Sequence, residues 1–459
     1  MKGLRVGGIM GKYLASFVLF LGMVSPLQAG EFAYGLGYTV SHSDNITRVP
    51  SNERSEVTNS YLAGFAYVER TTDVVAHLLA QGEFLDYRDD VFGDESIYNV
   101  DASAIWVLSP QRFTWTVEDR FEEEQIDATA ADTPSNRANV NVFSTGPDFY
   151  IRFTPVNTLA LGARAGNVSS GSANVDNDRF SGSARWLYQA TSISTYSLNF
   201  QAMDVNYDDS TINTDFARHD VFLRADYRPS RSQYVVDLGA SRIKPERGQD
   251  LDGSLARFSW LRQLTQESAF GLSASGEYSD TGTDILSTVS TLSAATTSAA
   301  GMPVTSELPD TTVSNLSSNA VTSDVYYAKR GEIFYNRRGG SFGVELTASA
   351  SDLDFETTAQ DRKELDGRLE LDFFYSRTTT VTLFTEQLKT EFVSFVREDT
   401  ERDSGLRFNY RLSRTVSLGL EGRRTERSST VPAVEYEENR VFLSVLYSSG
   451  PLFSPVSSR

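Results

Sequence analysis

The sequence predicts an all-β chain: a transmembrane antiparallel β-barrel of the outer-membrane kind, an up-and-down meander of about 20 strands. Three observations predict it. Apolar and polar residues alternate with a period of two along much of the chain, short turns alternate with longer polar connections, and aromatic residues gather at one end of many strands. Composition agrees with this. The 459 residues carry 42 basic and 61 acidic side chains, a formal charge of −19, with 21 Tyr and 28 Phe among them. So acidic a balance argues against nucleic acid as a partner, because phosphate recognition needs clustered Lys and Arg. The absence of cysteine excludes disulfides, thiolate nucleophiles and cysteine-based metal sites.

The first segment reads as an address. Met1 to Lys12 is basic, Leu14 to Val24 is apolar, and Leu27-Gln28-Ala29 ends in a small residue. This is the pattern of a secretory signal peptide, residues 1–29, cut after Ala29. No later stretch offers the roughly 18 apolar residues that a membrane helix requires. A barrel needs none, since its strands cross with about 9–11 alternating residues each.

Strand signals begin at once. In FAYGLGYTV, Phe32, Tyr34, Leu36, Tyr38 and Val40 share one face, and Ala33, Gly35, Gly37 and Thr39 the other. The period returns at Tyr98, Val100, Ala102, Ala104, Trp106 and Leu108, with Asn99, Asp101 and Ser103 opposite. It returns again at Phe270 to Tyr278 and at Phe342 to Ala350. From Leu365 to Tyr375 it is sharpest: Leu365, Gly367, Leu369, Leu371, Phe373 and Tyr375 oppose Asp366, Arg368, Glu370 and Asp372.

Turn spacing separates a barrel from a soluble sandwich, which would alternate too. Short turns are expected at Arg70–Asp73, Ser109–Arg112, Thr154–Thr158, Gln189–Ser192, Arg228–Arg231, Leu264–Glu267, Asn336–Gly340, Ser376–Thr379 and Leu412–Thr415. Between them lie longer acidic connections such as Arg88–Ser96, Glu122–Ser135 and Lys244–Gly253. Short periplasmic turns and long outer loops build an outer-membrane barrel. Trp106, Phe153, Tyr188, Tyr227, Trp260, Tyr335, Tyr375 and Tyr410 precede short turns, as an interfacial girdle would. The barrel then occupies residues 30–447, with both termini periplasmic and residues 448–459 as a periplasmic tail. Weak segments near Thr385–Arg402 and Asp119–Val142 leave 18 strands as the alternative count. One connection, 279–324, is long and rich in Ser and Thr, either a flexible surface loop or one that folds over or into the pore.

Candidate chemistry is sparse. His42, in the first outer loop, His77 and His219 are the only histidines, and no nucleotide-binding or HExxH motif appears. Asp89-Asp90, Asp94-Glu95 and Glu122–Glu124 could bind calcium but read better as solvated loops. No catalytic residue, metal ligand or cofactor is expected. Charges on the polar faces must point inward, because facing lipid costs several kcal/mol each near the midplane. The expected pore lining is Arg152, Arg164, Arg185, Arg224, Asp226, Asp237, Arg257, Glu345, Asp366, Arg368, Glu370, Asp372, Arg407 and Glu421. Such a wall hydrogen-bonds hydroxyl-rich solutes, or pairs across strands and keeps the barrel rigid.

The opening strand followed by Ser43-Asp44-Asn45-Ile46 resembles the start of the family called Putative beta-barrel porin 2. The stretch RANVNVFSTGPDFYIRFTP (Arg137 to Pro155) is similar to a recurrent segment there, and DYRPSRSQYVV and NYRLSRTVSLGL suit it. The resemblance implies an outer-membrane pore, of a group that includes proteins encoded with exopolysaccharide and exosortase-type loci. Its implied cargo is exopolysaccharide or another polar polymer, with general small-solute diffusion as the alternative. A barrel enzyme and a surface adhesin are the rival classes. Expected partners are outer-membrane lipid, the barrel assembly machinery, polysaccharide and periplasmic export components. Alternation starting at Phe32, just past the cut, favours a passive pore over a plugged, energised transporter.

Overall fold

Twenty antiparallel strands pair with their sequence neighbours, and the last pairs with the first. The computed structural model describes residues 30–171, 174–285 and 320–450. The segment read as a signal peptide, the middle of the 279–324 connection and residues 451–459 lie outside the described residues. In chain order the strands are β1 (Glu31–Ser43), β2 (Glu56–Arg70), β3 (Val74–Tyr87), β4 (Glu95–Ser109), β5 (Phe113–Gln125), β6 (Arg137–Thr154), β7 (Asn157–Ser170), β8 (Asn177–Thr191), β9 (Ser194–Tyr207) and β10 (Phe216–Tyr227). They continue as β11 (Ser232–Pro245), β12 (Leu251–Thr265), β13 (Ser268–Ser279), β14 (Tyr326–Gly339), β15 (Phe342–Phe355), β16 (Arg362–Phe374), β17 (Thr379–Phe392), β18 (Arg397–Arg411), β19 (Val416–Ser429) and β20 (Tyr436–Ser448).

Closure follows from the register at the seam. β1 meets β20 from Gly35 opposite Ser448 to Ser43 opposite Arg440. Just below, the Tyr34 amide donates to Ser449 Oγ at 2.8 Å, and the Ser449 amide returns a bond to the Tyr34 carbonyl. A closed ladder leaves no unpaired edge, which is what lets strands stand in hydrocarbon. β1 starts and β20 ends at the rim that carries the short turns. Four of these connections are two residues long, and in the β14–β15 one, Gly340 and Ser341, Gly340 has φ +65°. Primed hairpin turns require that left-handed value, and glycine adopts it without strain.

Period two fixes the faces. Phe32, Leu36, Leu198, Leu223, Leu238, Leu365 and Leu443 are exposed on the outside, so the apolar surface meets lipid rather than forming a central core. Near the short-turn rim Tyr227, Tyr234, Trp260 and Phe270 form a continuous row with centroids 6.1, 5.9 and 5.4 Å apart. The girdle residues named above stand on this outward face, with Tyr375 one residue beyond β16. No helix among the described residues is long and apolar enough to cross a membrane.

The expected count of 20 strands holds over the alternative of 18, because Asp119–Val142 spans the paired ends of β5 and β6 and Thr385–Arg402 those of β17 and β18. Other expectations are corrected. Glu122–Glu124 lie in β5, not in a loop, because β5 and β6 stay paired to the Gln125–Arg137 step. There the acids find bases, Glu122 meeting Arg120 at 3.1 Å and Glu123 meeting Arg137 at 3.3 Å. His42 is likewise in β1, opposite Val57 and Val441, and not in the first loop. Finally, β20 runs through Ser448, one residue past the expected barrel end.

Candidate pore and its walls

Cross-strand register carries the inward face from strand to strand. It places Arg152, Arg164, Arg185, Arg224, Asp226, Asp237, Arg257, Glu345, Asp366, Arg368, Glu370, Asp372, Arg407 and Glu421 on the face opposite the aromatic row. The lumen wall they share falls into stretches with different electrostatics.

On β10–β13 the charges close into a network. Asp237, 1% exposed, accepts Nε and Nη2 of Arg224, each at 2.7 Å, and Nη1 of Arg257 at 3.4 Å. Arg257 Nε also donates to Glu277 at 2.8 Å, and Arg218 bridges Asp220 at 2.9 Å and Glu277 at 3.6 Å. Phe222 lies beneath Arg224 and Arg257, with guanidinium carbons 5.8 and 5.6 Å from its centroid. Three arginines and three carboxylates thus satisfy one another, and fork-to-carboxylate geometry fixes the side chains.

Across the β18–β20 wall arginines alternate with rings. Arg407 and Arg423 both stand 5.4 Å from the Phe384 centroid, and Arg423 and Arg440 flank Phe442 at 5.6 and 5.7 Å. Glu421 holds Arg407 at 2.6 Å and Arg423 at 2.9 Å, while Glu438 holds Arg440 at 2.7 Å and Arg48 at 3.0 Å. Gly405 makes room for this stack. A Cβ there would lie 2.5 Å from both the Phe384 ring and the Gly422 carbonyl oxygen.

Between these, β14–β17 is acid-rich. Glu345 stands directly opposite Glu370, and Arg368 directly opposite Glu386. Arg368 reaches Glu370 at 3.4 Å, and Thr382 donates to Asp372 at 2.6 Å.

The long-loop mouth is crossed from two sides. From β13, residues 281–285 form one helical turn whose Asp280 side pairs with Arg179 of β8. Asp284 accepts from Ser279, Tyr326 and Arg330. Ile285 and Val321 pack with Val140, Val142, Val168 and Val175, and the Val321 amide donates to the Gln125 carbonyl at 2.8 Å. Burial alone would raise the Asp280 carboxyl; the Arg179 guanidinium outweighs it and holds the group below its ordinary value. From β5, the connection to β6 reaches past the β1–β20 seam, where Arg397 of β18 donates to the Thr129 carbonyl at 2.6 Å. Arg48 donates to the Asp132 carbonyl at 3.0 Å beside it. The described ends of the 279–324 connection, 279–285 and 320–324, therefore fold toward the lumen.

His42 and His219 point outward from β1 and β10, and His77 points inward from β3, so the three do not converge. Among the described residues no three Asp, Glu or His side chains could hold a metal ion, the Asp89-Asp90 and Asp94-Glu95 pairs included. Sequence reasoning missed the inward residues Arg179, Arg218, Asp220, Arg397, Asp399, Arg423 and Arg440. A signal was present: Arg218-x-Asp220, Arg362-x-Glu364, Arg397-x-Asp399 and Glu438-x-Arg440 put opposite charges two apart on one face.

A closed β-barrel with an apolar, ringed exterior and a charged interior is of the outer-membrane porin type. Residues 366–448, from β16 to the end of β20, match the family described as Putative beta-barrel porin 2, which agrees with the resemblance read from the sequence. No curated relative matches the chain. Among solved structures, the outer membrane protein opdK from Pseudomonas aeruginosa is similar at 9% identity, covering 92% of this chain and 100% of that one with a TM-score of 0.38. A BenF-like porin from Pseudomonas fluorescens Pf-5 matches at 10% identity, with 92% and 99% covered and a TM-score of 0.39. A mutant ferric enterobactin receptor, PfeA, from Pseudomonas aeruginosa matches at 9% identity, with 93% and 81% covered and a TM-score of 0.47. At such scores the barrel reading rests on this chain's own pairing.

Proposed function

We propose that the chain is a passive outer-membrane pore for polar solutes, exported by the 1–29 signal and working without catalytic residue, metal or cofactor. One observation carries the reading: a wall of paired charges lines a 20-strand barrel whose apolar residues face out. Side chains cannot fill a barrel of that size, so an aqueous lumen follows. Cargo follows from the mouth. Both crossings are latched to the wall by buried arginines, Arg179 on one side and Arg397 on the other. Small polar solutes pass beside such latches, whereas the extended polysaccharide implied by the family resemblance passes only when they release.

Liposome swelling with the purified barrel tests this. Mono- and disaccharides should enter readily and large dextrans should be excluded. Equal exclusion of both sizes would contradict the pore. Loss of extracellular polysaccharide from a deletion strain, with small-solute uptake unchanged, would replace small solutes by polymer as the cargo.

A further inference from the structure

We propose that the β14–β17 wall is a cation lane, in which Asp366 with Glu345, Glu370 and Glu386 receives a monovalent cation or the positive group of a solute in transit. The proposal rests on the pore reading above. Its anchor is Asp366, on the lumen face of β16 between Ser349 of β15 and Leu388 of β17. Asp366 is 4% exposed, and neither of its carboxylate oxygens has a hydrogen-bond partner. An ionised carboxylate held like this is unfavourable unless a positive charge accompanies it.

The wall's own bases do not supply that charge. Arg362 is held by Glu364 at 2.9 Å, Arg330 by Asp284, and Arg338 lies over Phe374, 5.9 Å from its centroid, toward the short-turn rim. Arg368, two residues along from Asp366, makes its ion pair with Glu370 and faces Glu386, and it acts on Asp366 only through space, with no hydrogen bond between them. Glu345 and Glu370 stand directly opposite each other, a like-charge pairing that disfavours the sheet unless a cation screens it. Because no three acids converge on a coordinating geometry, the lane suits a weakly held, largely hydrated cation rather than a chelated divalent one. Conduction demands such binding, firm enough to enter and weak enough to leave.

Reversal potentials of the reconstituted full-length chain in planar bilayers under a KCl gradient test the proposal. The unmodified pore should prefer K+ over Cl−. The double variant Asp366→Asn, Glu386→Gln, which removes two charges, should lower the permeability ratio by at least about fivefold, the effect of a single unit charge at 4 Å in water. Asp209→Asn, in the β9–β10 connection, should leave the ratio unchanged. Should the double variant fail to insert, Asp366→Asn alone removes a charge without removing a hydrogen bond and reads the same ratio. A pore that conducts without cation preference, or that keeps its ratio in these variants, overturns the lane while leaving the pore reading intact. An unmodified chain that inserts and does not conduct overturns the pore reading itself.

Discussion

Two walls of one lumen differ in how their charges are spent. Along β10–β13 each arginine meets a carboxylate, with Asp237 at the centre of Arg224 and Arg257. Along β14–β17 the acids outnumber their partners, and Asp366 is buried with none. Both walls come from the same alternating pattern and face the same water. What separates them is where the arginines fall relative to the strand register, so one wall is a structural clamp and the other an open electrostatic surface.

The largest expected effect comes from breaking the clamp. Asp237→Ala strands Arg224 and leaves Arg257 with Glu277 alone, and urea titration in lipid vesicles should show a loss of about 2–3 kcal/mol. That is below the ~3–5 of a fully buried pair, since about a third of each arginine side chain stays exposed. The same variant should also move the pore toward chloride. Next comes Gly405→Val in the neighbouring arginine–ring stack, where the added atoms meet the Gly422 carbonyl and the Phe384 ring. About 2 kcal/mol should be lost, read in the same titration.

Asp366→Leu should act with the opposite sign. Removing an unpartnered buried carboxylate should raise stability by about 1 kcal/mol, whereas a clamp would lose stability from the same change. A destabilised Asp366→Leu would erase the difference between the walls. The smallest effect should be that of Arg242→Gln. Its pair with Asp252 lies outside the lumen with side chains 51% and 64% exposed, and the urea midpoint should match that of the unmodified chain.

Much of this was legible in the sequence. Faces, turns and girdle follow from a period of two, because a one-residue slip would turn every lipid-facing leucine inward. The run Leu365 to Tyr375 gives the acid-rich wall directly, as Asp366, Glu370 and Asp372. What stayed hidden depends on neighbours the period does not reveal. That Asp237 meets both Arg224 and Arg257 is a fact of cross-strand register, and sequence alone leaves register open. Glu122–Glu124 read as a loop because an acidic run looks the same in a solvated connection and in a strand that outruns the bilayer. The inward folds at Thr129 and Asp280 were out of reach for a similar reason: their partners, Arg397 and Arg179, lie 268 and 101 residues away.

The pore reading depends on water filling the barrel from rim to rim. Single-channel recording on the purified chain in a planar lipid bilayer tests that most directly. Discrete, ohmic current steps whose size rises with salt concentration should appear without any energy source. Folded chain that inserts into the bilayer and passes no current would contradict that reading.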